Sequence, residues 1–89
     1  MAELIYQHRR HVNGSAGREY HVLVYGRLDG GGVWEAWLEF RPITGGLVLR
    51  TERETTQPSR MALARWAESL GHIDLEGAFA RAFDYTSNT

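Results

Sequence analysis

Cysteine is missing from this chain of 89 residues. Disulfides, thiolate metal sites and cysteine nucleophiles are therefore outside its chemistry. A small domain without disulfides fits a reducing compartment, so a cytoplasmic location is the expectation. No apolar run exceeds the stretch from Val22 to Tyr25, which is far too short to span a bilayer, and no membrane partner is expected. The start Met1-Ala2-Glu3-Leu4 lacks the basic residues and apolar stretch of a secretory signal, so none is expected. A charge excess of either sign is missing too: ten basic and eleven acidic residues leave a formal net charge of −1. Bulk electrostatics thus gives no push toward nucleic acid or anionic membranes.

What is present is apolar and aromatic material. The apolar fraction is 43%, with three Trp, four Tyr and three Phe. That supports a folded core and argues against disorder. A domain of this length buries roughly 60–65% of its unfolded surface, so the core is single and thin. No internal repeat or low-complexity stretch interrupts the chain, and residues 1–89 read as one small α+β domain.

The most informative segment is a hairpin. Residues 19–28 and 33–41 alternate in polarity around Asp29-Gly30-Gly31-Gly32, where glycine supplies turn geometry. The pleat fixes which residues of one strand share a face. With Leu28 opposite Val33 across a four-residue connection, Arg27 meets Trp34, Tyr25 meets Ala36, Leu23 meets Leu38 and His21 meets Phe40. That face is expected to be the core. The other face then collects Val24 with Trp37, Val22 with Glu39, Tyr20 with Arg41, and Gly26 with Glu35. A one-residue slip in the turn inverts this pairing.

A first strand is expected over residues 4–11 and a last over 47–54, on which Leu47, Leu49 and Thr51 share the apolar side. Pro42 cannot donate to a ladder and ends the third strand. From Thr55 the period changes. Thr56 is a good helix N-cap and Pro58 suits a first turn. Leu63, Trp66, Ala67 and Leu70 repeat at helical spacing, and Gly71 is placed to stop the helix. Asp74 can cap a second helix striped by Leu75, Ala78, Phe79, Ala82 and Phe83, in which Gly77 costs about 1 kcal/mol relative to alanine. Helices are thus expected over residues 58–70 and 75–85, with fraying after Tyr85. The fold class is α+β: an antiparallel three- or four-stranded meander followed by two helices packed on one sheet face.

Tyr20 to Gly46 resembles the small HicB-like antitoxin domains, through Asp29-Gly30-Gly31, Pro42 and Gly45-Gly46. That family pairs two strands through an acidic-glycine turn, then has a proline and glycine before the next strand and helix. Its Asp-Leu-Pro-Gly-Cys run is replaced here by Arg41-Pro42-Ile43-Thr44-Gly45. The resemblance covers about a third of the chain and carries over no functional residues. It implies an antitoxin-like regulatory role as an alternative. The chain is otherwise similar to small bacterial domains of unassigned role.

Candidate sites follow from the alternation. Tyr20, Val22, Val24 and Trp37, edged by Glu35, Glu39 and Arg41, make an apolar strip on the sheet face away from the expected core. Such strips mark contact surfaces, and Trp and Tyr are frequent anchors. Full burial of Trp37 contributes about 2–3 kcal/mol. An isologous homodimer is the leading expectation and a heterologous protein partner the next. The bland alternative is cover by the first strand or the C-terminal segment of the same chain.

A second candidate is nucleic-acid contact by His8, Arg9, Arg10, Arg18 and Arg27, with the balanced charge against it. A third is histidine-based hydrolysis of a phosphodiester by His8, His11 or His21, whose spacing is not diagnostic. Four histidines without thiolates or a His-Glu-x-x-His helix give no metal site, no cofactor is implied, and no catalytic residue is assigned. Thr55-Thr56-Gln57 with Arg53 and Arg60 could hold an anion at a helix start, but ordinary capping explains it better.

Overall fold

One turn decides how the sheet is built. In the computed structural model, which describes residues 1–87, the Asp29 N–H donates to the Val33 carbonyl (2.9 Å) and the Gly32 N–H to the Asp29 carbonyl (3.2 Å). The Asp29 carboxylate accepts from the N–H groups of Gly31 (2.7 Å) and Val33 (3.3 Å). Gly32 takes the left-handed φ of 84° that closes this kind of loop. Asp29 and Val33 therefore face each other, and the connection between them has odd parity. Strand β3 (Glu19–Leu28) pairs with β4 (Trp34–Pro42) so that Val24 meets Leu38, Val22 meets Phe40, Tyr25 meets Trp37 and Arg27 meets Glu35.

This register corrects the expected one by a single residue. The inward residues of β4 are Ala36, Leu38 and Phe40, and their partners on β3 are Gly26, Val24 and Val22 rather than Tyr25, Leu23 and His21. Tyr20, Val22 and Val24 consequently lie in the core and not beside Trp37. The hydrogen bond between Asp29 and Val33 is the physical reason: it shortens the expected four-residue connection to the three glycines 30–32, which shifts β3 by one place against β4 and exchanges its two faces.

Among the described residues the sheet is antiparallel and six-stranded. The expected first strand divides into β1 (Glu3–Gln7) and β2 (Val12–Asn13), both on β3, with Arg9 and Arg10 at the corner between them. A bulge at Ile5 turns both Ile5 and Tyr6 toward the core and blunts this edge. At the other edge the expected last strand is also broken, into β5 (Leu49–Arg50) and β6 (Thr55–Gln57), both on β4. Between them Thr51 is fully buried. Its N–H donates to the Leu38 carbonyl (2.9 Å) and its Oγ1 accepts from the Leu38 N–H (3.0 Å), so a side chain replaces one rung of the ladder. Leu47, expected on the apolar side, is exposed.

Helix α1 (Arg60–Ser69) begins later than expected. Thr56 belongs to β6, opposite Glu35, and the N-cap is Ser59, whose Oγ accepts from the Ala62 N–H (3.0 Å). Helix α2 (His72–Ser87) begins earlier, because Asp74 acts from within the first turn and accepts from the Gly71 N–H (2.8 Å). It runs on through Thr86 and Ser87; the rest of the segment expected to fray lies outside the described residues. Both helices cover the same sheet face, α1 over β1, β4 and β6, α2 over β2, β4 and β5. Leu63, Ala67, Leu75, Ala78 and Ala82 meet Val22, Val24, Leu38 and Phe40 there. Phe79 joins from the rim, 5.3 Å from Phe40 and 5.0 Å from Tyr20 between ring centres. Among the described residues no helix is long and apolar enough to cross a membrane.

Candidate functional site

The face turned away from the helices carries the odd-numbered residues of β3 and β4. In order along the hairpin its cross-strand pairs are His21 with Arg41, Leu23 with Glu39, Tyr25 with Trp37, and Arg27 with Glu35. The centre is aromatic: Tyr25 and Trp37 stack with ring centres 6.5 Å apart and planes 16° from parallel. Arginines roof it. The guanidinium carbon of Arg50 lies 4.7 Å from the Trp37 ring centre, that of Arg27 5.8 Å, and that of Arg41 5.7 Å from the Tyr25 ring. Such contacts contribute about 0.5–1 kcal/mol each when exposed.

The carboxylates hold these arginines in place. Arg27 Nε donates to Glu35 Oε1 (2.6 Å), and Arg53 Nη1 lies 3.9 Å from Glu35 Oε2. Arg41 Nη2 donates to both Glu39 Oε1 and the Tyr25 hydroxyl, each at 3.1 Å. Trp37 Nε1 reaches Glu39 Oε2 at 3.5 Å. Arg50 is positioned from its backbone, since its N–H donates to Thr86 Oγ1 (3.0 Å), and its guanidinium also lies 6.0 Å from the Tyr85 ring centre. The outcome is a Trp37 that is 7% exposed on the face opposite the core. Its cover comes from the same chain. Beside it a depression of about 330 Å³ is bounded by Arg27, Glu35, Trp37, Arg50, Glu52 and Tyr85.

Of the seven residues expected to form one contact strip, the structure thus brings together Glu35, Trp37, Glu39 and Arg41 and takes Tyr20, Val22 and Val24 to the opposite side of the sheet. The side chains that sequence reading missed are Tyr25, Arg27 as a ring partner, and Arg50. Counting with an odd loop would have found Tyr25 opposite Trp37. Nothing local to Arg50 points to Trp37, because it is the pairing of β5 on β4 that sets Arg50 opposite Glu39, beside Trp37.

The basic residues are not gathered. His8 is buried beneath α1, edge-on to Tyr6 with centroids 4.8 Å apart, and its Nε2 has no hydrogen-bond partner. Burial pushes its pKa below the ordinary histidine value; the Ala67 carbonyl opposes that and Arg10 adds to it. Arg9 and Arg10 are exposed at the corner outside β2. Arg18 precedes β3 and Arg27 lies near its far end, about 30 Å away along an extended strand. Arg60, considered above with an anion, instead binds Glu3 through Nε (3.1 Å) and Nη2 (2.9 Å).

His11 and His21 do meet, rings edge to face at 4.8 Å, with His11 Nδ1 3.5 Å from Glu19 Oε2. His8 is on the other side of the sheet from them. Among the described residues no group of three or more His, Asp or Glu side chains is placed to hold a metal ion. No protein-family profile, curated protein or solved structure matches the chain, so geometry alone carries the functional reading.

Proposed function

We propose that this chain is a small protein-interaction domain that self-associates through its helix-free sheet face, in a cytoplasmic setting that suits a cysteine-free domain. The observation that carries the reading is Tyr25, half-buried at the middle of that face and stacked on the covered Trp37, with one arginine and one glutamate at each end of the same row. A two-fold axis through the aromatic pair sets Arg27 and Glu35 of one copy against Glu39 and Arg41 of the other. Both signs are present at both ends, so the patch is self-complementary, as an isologous contact requires. Leu4, paired with Tyr25 on β1 and 44% exposed, widens the apolar centre. Aromatic and arginine anchors in a polar surround are the usual composition of such contacts.

Sedimentation equilibrium of the full chain tests this. Wild type is expected to dimerise with a Kd of about 10–100 μM. The double variant Leu4→Glu, Tyr25→Glu alters side chains outside the core and is expected to be monomeric with an unchanged circular dichroism spectrum. A wild type that stays monomeric at high micromolar concentration overturns the proposal.

A further inference from the structure

On the helical side of the sheet α1 and α2 do not close over each other. A cleft follows α2 with two adjoining lobes of about 360 Å³ each, the first between α1 and α2, the second between α2 and the segment that joins β5 to β6. The first is apolar, with Leu38 as its floor and Trp66, Leu70 and Ile73 among its walls. Ile73 stands at its rim, 83% exposed. The second is acidic, bounded by Glu52, Glu54, Asp84 and Tyr85. The ion pair of Arg81 with Glu54, at 2.6 and 3.1 Å, separates the lobes and belongs to both.

Charge in the cleft is one-sided. Arg81 is the single cation among its lining residues, and Glu54 already neutralises it. Asp74 caps Gly71. Glu52 and Asp84 have no ion-pair partner among the described residues. A chain whose total charge is −1 thus concentrates unpaired carboxylates beside an apolar hollow.

Gly77 is the second observation. It sits inside α2, where glycine costs about 1 kcal/mol relative to alanine. The packing of α2 on the sheet does not call for it: its φ is not positive, and an added Cβ would meet only the end of the Arg81 side chain, at 3.3 Å. Gly77 lines the apolar lobe, and its missing side chain leaves that lobe open beside Arg81. The cleft follows α2 from Ile73 to Tyr85, about 18 Å at the helical rise, which is the span of five or so residues of extended peptide.

We propose that this cleft binds an extended basic segment of another protein, with an apolar side chain over Leu38 between Trp66 and Ile73 and a lysine or arginine between Glu52 and Asp84. The length excludes a compact small molecule as the occupant of both lobes, and the unpaired carboxylates choose a cation over an anion. The apolar lobe lies on the helical side of the sheet, whereas Glu52 and Tyr85 of the second lobe also bound the depression beside Trp37, so peptide binding is read at Ile73, Gly77 and Trp66, away from the open face.

The test is an NMR titration of the full chain with the peptide acetyl-Leu-Ser-Arg-Ser-Arg-amide. Saturable shifts are expected at the amides of Ile73, Gly77 and Ala78 and at the Trp66 indole, with a Kd of about 0.1–1 mM. Gly77→Leu, which fills the apolar lobe, and the exposed double reversal Glu52→Lys, Asp84→Lys should each weaken binding at least tenfold while the unliganded spectra stay dispersed. Acetyl-Leu-Ser-Glu-Ser-Glu-amide and acetyl-Ser-Ser-Arg-Ser-Arg-amide should bind at least tenfold more weakly. Equal binding by either control peptide, unchanged binding in Gly77→Leu, or no shifts in the cleft at several millimolar peptide overturns the proposal.

Discussion

The two faces of the β3–β4 hairpin bury their central residues almost equally well and by different means. On the helical face Val22, Val24, Leu38 and Phe40 are at most 1% exposed, packed hydrocarbon to hydrocarbon under α1 and α2. On the open face Leu23 and Trp37 are each 7% exposed, without a packed helical layer of hydrocarbon above them. There the cover is one aromatic ring and the guanidinium groups of flexible arginines, of which Arg27 is pinned by Glu35 and Arg41 by Glu39. Burial alone does not distinguish a core from a roofed surface. The nature of the cover does, because arginine stems and water can move into a gap that a rigid helix–sheet interface leaves empty.

Truncation on each face should separate the two kinds of burial. Phe40→Ala leaves a cavity against Phe79 and the helices and is expected to cost about 3–5 kcal/mol in urea unfolding. Trp37→Ala removes a larger side chain, yet the flexible arginines over it can collapse, so less than half that loss is expected. Equal losses would mean that the open face is as rigid as the core.

The turn that assigns the faces can be weakened next. Asp29→Ala removes the acceptor for the Gly31 and Val33 N–H groups and is expected to cost about 1–2 kcal/mol, with broadened amide resonances in β3. A variant that melts like wild type would show that side-chain packing fixes the register without the turn.

The smallest effect concerns His8. Its folded pKa is lowered, so the unfolded chain takes up the proton more readily. Stability is complete above the ordinary histidine value of 6.5 and is lost as pH falls from there through the lower folded value. His8→Leu also removes the unpartnered Nε2. Unfolding free energies between pH 5 and 7 should therefore slope less in the variant, and parallel curves would contradict the burial argument.

Much of this was legible beforehand and some was not. Alternation within β4 correctly separates Ala36, Leu38 and Phe40 from Trp37, and the 3.6-residue period picks out Leu63 and Ala67 on α1 and Leu75, Ala78 and Ala82 on α2. Thr51 could be seen on the apolar side of its segment, but its role as a substitute ladder rung depends on where Leu38 lies. Local pattern favours Thr56 as N-cap over Ser59, yet β6 claims Thr56 through Glu35, a strand pairing that no local pattern reveals. In the candidate site the same holds for Arg50, which β5 brings to Trp37 from outside the hairpin.

By itself the amino-acid order determined the α+β class, the order of strands before helices, and which side chains of each single strand or helix point the same way, since pleat and helical pitch are properties of a local backbone. Only the tertiary structure decided how those faces were matched. A hydrogen bond across one glycine loop set the parity of the hairpin, and with it whether Tyr20, Val22 and Val24 joined Trp37 or the core.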